Sequence, residues 1–312
     1  MTWYELLILI IAIVIVAFFI AWLIIGLYSY NVAMISKEKR SLDTIKKESH
    51  WYCFLDELKI RKEYFDSFKD KTTRHELINK RGIKLVSYLV KQDTNTTPTL
   101  VIFVHGYKSN HWFDSLCANN WMLHAGYDCL FVDQEGLGES GGKRMGFGIL
   151  DSENLQEWIN YANNLYSSNV NIILSGVSMG ANTVLMCANK PLENVKCIIA
   201  DCGYTSLYDA VLQISKKKLL SFMVYSFLRV VWHHNIKEST IAKVKDAKYP
   251  IMFIHGKSDK FIYPINTIRN YEACTSKKEL FLVEGAKHAE SGLILPDEYL
   301  ENITNFLKDI EK

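Results

Sequence analysis

Three side chains far apart in the chain carry the types needed to open a carbonyl: a hydroxyl at Ser178, a carboxylate at Asp259 and an imidazole at His288. Ser178 sits in Gly176-Val177-Ser178-Met179-Gly180, where an apolar strand pattern, Asn171 to Ser175, runs into a helical pattern over Ala181 to Asn189. A G-x-S-x-G pentapeptide at such a junction turns sharply and strains the backbone of its serine. Glycines two residues to either side let neighbouring segments approach without a Cβ in the way. The hydroxyl is pushed out above the sheet, at the positive end of the following helix. A serine hydroxyl is a weak nucleophile near neutral pH; it needs a base, and the base needs a carboxylate to orient it. Asp259 follows the strand pattern Pro250 to Gly256, and His288 follows the strand pattern Glu279 to Val283, so each lies on a loop past a strand tip.

Acyl transfer places negative charge on the former carbonyl oxygen, so two backbone N–H groups must be aimed there. The residue after the serine supplies one, here Met179. The other belongs to the turn His105-Gly106-Tyr107, after the apolar strand Thr99 to Val104, and Tyr107 is the better placed. His105 reads as a buttress of this turn rather than as a base.

From about Arg74 onward the chain resembles bacterial α/β-hydrolases of the esterase and serine-peptidase-like type, related to the S9 and S15 peptidases. The matching pieces are Val104 to Tyr107, Asp133 to Ser140, Gly176 to Gly180, Asp201 to Ser206, Phe253 to Gly256 with Asp259, and Gly285 with His288. The chain order Ser, Asp, His is that of this family. The resemblance implies a mostly parallel eight-stranded sheet with helices on both faces and a small helical cap. It implies hydrolysis of an ester, thioester or amide through an acyl-enzyme, with no metal and no organic cofactor. One departure stands out: the usual D-x-R-G-x-G-x-S is here Asp133-Gln134-Glu135-Gly136-Leu137-Gly138-Glu139-Ser140, with Glu135 in place of arginine. That reverses a charge near the active-site face.

Gly136-Leu137-Gly138-Glu139-Ser140-Gly141 formally satisfies G-x-G-x-x-G, yet the glycine-rich loop continues through Gly148 and helical signals begin only near Asp151. A dinucleotide site needs a helix to open at once on the last glycine. No phosphate-binding P-loop and no C-x-x-C pair occurs, and His233-His234 has no ligand partner nearby. A formal net charge of +2 gives no reason to expect nucleic acid.

The amino end carries a different signal. Leu6 to Ile25 has no charged or strongly polar side chain. About 20 apolar residues at 1.5 Å per residue span the ~30 Å hydrocarbon core of a bilayer. Trp3 and Tyr4 at one end, and Trp22, Tyr28 and Tyr30 at the other, suit interfacial aromatic belts. A cleaved leader normally opens on basic residues and ends in small ones; here no Lys or Arg precedes the run, and Gly26 to Tyr30 makes a poor cleavage site. A retained single-pass anchor is expected. Lys37, Lys39, Arg40, Lys46 and Lys47 follow the run while only Glu5 precedes it, which places the catalytic domain on the cytoplasmic side. Seven cysteines, an odd number, with Cys187, Cys197 and Cys202 on core-like patterns, agree with a reducing compartment.

The expected organisation is an anchor at residues 1–30, a helical linker at 31–72 and a hydrolase domain at 73–312, with a cap at about 207–248. Ser41 to Asp70 reads as helix, and His75 to Ile78 with Lys84 to Val90 as a hairpin. The cap, strongly apolar from Leu219 to Leu228, is the expected seat of substrate choice. The predicted protein is a serine hydrolase acting on acyl or small esters, with a short-peptide hydrolase and a non-catalytic scaffold as alternatives.

Overall fold

The computed structural model of the chain describes residues 1–35, 40–92, 98–231 and 235–310. Lys37, Lys39, Asn95 to Thr97, Trp232 and the His233-His234 pair lie outside the described residues. Strand patterns that are apolar on both faces need covering from both sides. Among the described residues eight strands form: β1 Thr72–Ile78, β2 Lys84–Val90, β3 Thr99–Val104, β4 Asp128–Asp133, β5 Asn171–Val177, β6 Val195–Asp201, β7 Ile251–Gly256 and β8 Lys278–Val283. They join in one sheet in the order β1-β2-β4-β3-β5-β6-β7-β8. β2 is antiparallel to both β1 and β4, and every later pairing is parallel.

The helices are α1 Trp3–Met34, α2 Leu55–Asp66, α3 Phe113–Cys117, α4 Trp121–His124, α5 Ile149–Leu165, α6 Met179–Leu185, α7 Leu207–Ser215, α8 Lys218–Val231, α9 Thr240–Val244, α10 Ile265–Ala273, α11 Ser291–Ile294 and α12 Pro296–Ile310. Leu100, Ile102 and Val104 of β3 pack under α5, α6 and α9, while Val101 and Phe103 pack under α4 and α12. This is the period-two alternation of a strand buried on both faces. The chain thus has the α/β-hydrolase architecture expected from its sequence, with α7 and α8 in the segment between β6 and β7. Of the seven cysteines all but Cys53 are buried.

Two expectations change. Ser41 to Asp70 is not one helix: short 3-10 turns at Leu42–Thr44 and Tyr52–Phe54 precede α2. Leu42 and Ile45 are three apart, as are Trp51 and Phe54, but the two pairs are out of phase for one helical face. They pack instead around Leu58, Phe113 and Leu116. The apolar helix α1 also runs on past Ile25, to Met34. It is long and apolar enough to cross a membrane by length and composition, and residues 1–21 are exposed. Trp22 and Tyr30 are not free for an interfacial belt: they pack into the cap cluster with Phe227 and Leu228. The Trp22 indole N–H donates to Ser226 Oγ at 2.8 Å. A Cβ on Gly26 would collide with the Phe227 ring, so glycine at that position permits the close approach of α1 to α8.

The charge reversal at Glu135 also finds its partner. Arg81, in the β1–β2 turn, pairs with the buried Glu135 carboxylate and reaches Glu153 at 2.8 Å, while Asn154 Nδ2 donates to Glu135 at 3.2 Å. Nearby, Asp151 caps α5: its Oδ2 accepts from the Gly148 N–H at 2.9 Å, and its Oδ1 has no partner among the described residues. Burial pushes its carboxyl up to about 7, with the Gly148 N–H pulling downward and the Glu135 carboxylate upward. A folded-state value above the unfolded one stabilises the fold at low pH, and that contribution drains away as pH rises toward about 7. Asp151→Asn should therefore flatten the fall in Tm between pH 5 and pH 8 relative to the parent chain. Calorimetry of both proteins checks this, and equal slopes would contradict it.

Candidate active site

Ser178 occupies the tip of β5 with φ 57° and ψ −114°, a backbone region costly for a residue with a side chain. Its N–H donates to the Asp201 carbonyl at 2.8 Å, and α6 starts at the next residue. The helix therefore begins two residues earlier than the sequence pattern indicates and also ends earlier, at Leu185. A Cβ at Gly180 would run into the Val104 carbonyl of β3, and one at Gly176 into the Gly180 carbonyl. The turn is clamped between two strands by backbone alone.

His288, on the loop after β8, places Nε2 2.8 Å from Ser178 Oγ. Its Nδ1 lies 2.6 Å from Asp259 Oδ2, on the loop after β7. An ionised carboxylate only accepts, so Nδ1 carries the hydrogen and the Nε2 lone pair faces the hydroxyl. Asp259 Oδ1 accepts from the N–H groups of Phe261 at 2.8 Å and Ile262 at 2.9 Å. Burial raises the Asp259 carboxyl, but hydrogen bonds from His255 and His288 outweigh it and hold the group well below the ordinary carboxylate range. His255 is a buried neighbour that sequence reasoning did not assign: its Nε2 is 3.1 Å from Asp259 Oδ2 and 2.9 Å from the Ile262 carbonyl. Its one signal in the sequence is its spacing, four residues before Asp259.

His105 is the expected buttress. It is fully buried, with Nδ1 2.9 Å from the Gly106 carbonyl and Nε2 accepting from the Gln134 N–H at 3.1 Å. Burial pushes its imidazole down despite the carboxylates of Asp133 and Asp114. Asp114 was not legible as a site residue. Its Oδ2 accepts from the Gly106 N–H at 2.5 Å and its Oδ1 from Ser109 Oγ at 2.7 Å. The Gly106 amide is thereby occupied. The amides of Tyr107 and Met179 have no acceptor in the protein among the described residues.

A cavity of about 300 Å³ opens beside Ser178 and His288, walled by Tyr107, Phe261, Arg40, His50 and Trp51 among others. No residue of the 207–248 segment lines it. Arg40, His50 and Trp51, from the stretch expected to be a linker, form part of this wall instead. His50 Nδ1 lies 2.6 Å from Glu290 Oε1, and Glu290 Oε2 accepts from the Lys287 N–H at 2.9 Å, so residue 50 is bound to the loop that carries His288.

Residues 64–225, just over half of the chain, match the sequence model of the X-Pro dipeptidyl-peptidase family (S15 family). The chain belongs to the S15 peptidase family. This S15-family protein is a serine hydrolase of the esterase or peptidase type. It is similar to the uncharacterized protein YqkD of Bacillus subtilis, 26% identical over 92% of this chain and 93% of the relative. It is also similar to protein bem46 of Schizosaccharomyces pombe, 23% identical over 78% of each. Among solved structures, the Pyrococcus furiosus esterase Pf2001 shares its fold with a TM-score of 0.64 and 22% identity, over 79% of this chain and 94% of that one.

Gly180→Ala is expected to cost about 1–3 kcal/mol or more, since rigid backbone faces the added methyl. Gly203→Ala, whose Cβ would come no nearer than 3.3 Å to the Ala181 methyl, should cost less. Denaturant titration of the two variants decides, and equal losses would show that the clamp is not steric.

Proposed function

We propose that this protein is a membrane-anchored serine hydrolase that cleaves a carboxylic ester through an acyl-enzyme on Ser178. The observation that carries this reading is the continuous chain of hydrogen bonds from Ser178 Oγ through His288 to Asp259. In this mechanism His288 Nε2 takes the hydroxyl proton as Oγ attacks the carbonyl carbon. Asp259 holds the ring in the required tautomer and stabilises the imidazolium that forms. The Tyr107 and Met179 amides offer hydrogen bonds to the oxyanion. His288 then gives its proton to the leaving alcohol, and water repeats the sequence on the acyl-enzyme. The substrate is a small molecule, and no step calls for a metal or cofactor.

The same reading assigns residues 1–30 to the anchor, 31–72 to the connection and 73–312 to the catalytic domain, with 207–248 as its cap. Lipid contact comes through the apolar helix, and the cationic residues that follow it favour a cytoplasmic catalytic domain. A short-peptide hydrolase is the second reading, favoured by the family match over residues 64–225.

A fluorophosphonate probe should label the full chain and fail on Ser178→Ala; absence of labelling on the parent chain would instead favour a non-catalytic scaffold. Asp259→Asn should lower kcat by about 10³–10⁴, as expected when the imidazole is left in the wrong tautomer. A chain-length series of p-nitrophenyl esters should turn over faster than peptidyl anilides, and the reverse order would establish the peptidase reading. In sealed bacterial spheroplasts carrying the full chain, added protease should spare the domain, and digestion there would reverse the assigned orientation.

A further inference from the structure

The cavity beside Ser178 is unevenly furnished with charge. Two residues with charged side chains, Arg40 and Asp114, stand in its wall beside His50 and His288. Both Asp114 oxygens are committed, to the Gly106 N–H and the Ser109 hydroxyl. The His50 ring is committed to Glu290. Arg40 is not: among the described residues its guanidinium has no hydrogen bond and no carboxylate at ion-pair distance. Its recorded contact is with the Phe113 ring, 5.4 Å from the centroid.

Arg40 is nevertheless held in place. Its carbonyl accepts from Asn110 Nδ2 at 2.7 Å, and Asn110 Oδ1 accepts from the Phe113 N–H at 3.0 Å. One asparagine thus ties the arginine backbone to the residue whose ring lies against its guanidinium. A guanidinium stacked on an aromatic face keeps its planar fork of donors ready for a carboxylate or a phosphate. A second, larger cavity of about 880 Å³ shares Arg40 and Tyr107 with the first. It adds Lys46 and Lys108 against Asp43 and Glu48, leaving cationic groups in the majority. Arg40 stands at the junction, between the reacting serine and this outer space.

We propose that the substrate ester carries an anionic group, a carboxylate or a phosphate, and that Arg40 is the specificity-determining residue that binds it. The proposal rests on the hydrolytic reading of Ser178. The anion sits on the guanidinium while the scissile carbonyl reaches Ser178, so a neutral ester of equal size forfeits a charge-assisted bidentate contact.

The test compares matched substrates on the full chain. One arm sets p-nitrophenyl hydrogen glutarate against p-nitrophenyl butyrate; the other sets an acylglycerol phosphate against the monoacylglycerol of the same chain length. In at least one arm kcat/KM should favour the anion by about tenfold to a hundredfold, carried mainly by KM. The arm that responds separates carboxylate from phosphate. Arg40→Ala should reduce that ratio to near one, and Arg40→Lys should restore part of it. Arg40→Gln repeats the measurement if the alanine variant does not fold. Turnover of the neutral ester with no anionic preference, or a preference that survives in Arg40→Ala, overturns the Arg40 assignment alone. No turnover in either arm and no fluorophosphonate labelling overturns it together with the hydrolase reading.

Discussion

A serine forced into a left-handed backbone between two parallel strands is the constraint around which the structure is arranged. Ser178 pays a conformational penalty that persists only because its surroundings leave the chain no other course. β3 and β5 run side by side, with Val104 opposite Gly176, and α6 drops back onto them at once. Neither Gly176 nor Gly180 has room for a methyl group. The turn is thus a product of the whole centre of the sheet, and the exposed position of the hydroxyl follows from it.

The remaining parts of the site are held by polar contacts at the carboxyl ends of the neighbouring strands. Asp259 is buried, yet two backbone N–H groups and two imidazoles surround it, which keeps it ionised where burial alone would not. Asp114 plays a comparable part on the other side by occupying the Gly106 amide. His105 locks the β3 tip to the β4 tip through the Gln134 backbone. Each of these groups is buried and satisfied, and such networks rigidify a site whose reacting atoms must stay within hydrogen-bond reach.

The apolar helix α1, helices α7 and α8 and the stretch from Arg40 to Asp70 form a second group of contacts. The C-terminal part of α1 is packed against α8 through Trp22, Gly26 and Phe227, so the apolar helix is docked on the fold rather than joined to it by a loose link. Residues that follow α1 in the chain wall the cavity beside Ser178, with His50 joined to Glu290 and Arg40 pinned by Asn110. The apolar run and the hydrolytic site therefore meet in one structure, and the residues that link them also bound the space open to a substrate.

Much of this was readable in the chain. The strand tips bearing Ser178, Asp259 and His288 were legible because apolar runs, glycines and the serine turn are local signals, and the eight-stranded sheet was what the family resemblance implied. The apolar segment was legible from length and composition, β3 from its continuous apolar run and β2 as a hairpin partner of β1. What escaped was whatever depends on which side chains meet once the chain has folded. Arg81 answering Glu135, Asp114 holding Gly106, His255 sharing Asp259 and Arg40 lining the cavity join residues from 4 to more than 100 positions apart in space-filling contacts with no periodic signature. Ser41 to Asp70 misled for the same reason: its apolar residues are placed to fill a pocket under Phe113, not to line one helix face. Local propensity and pattern determined which elements form and where the reactive residues fall; only packing in three dimensions decided which charges are answered, which amides stay open and which segment walls the site, because burial and desolvation exist only once the chain has folded.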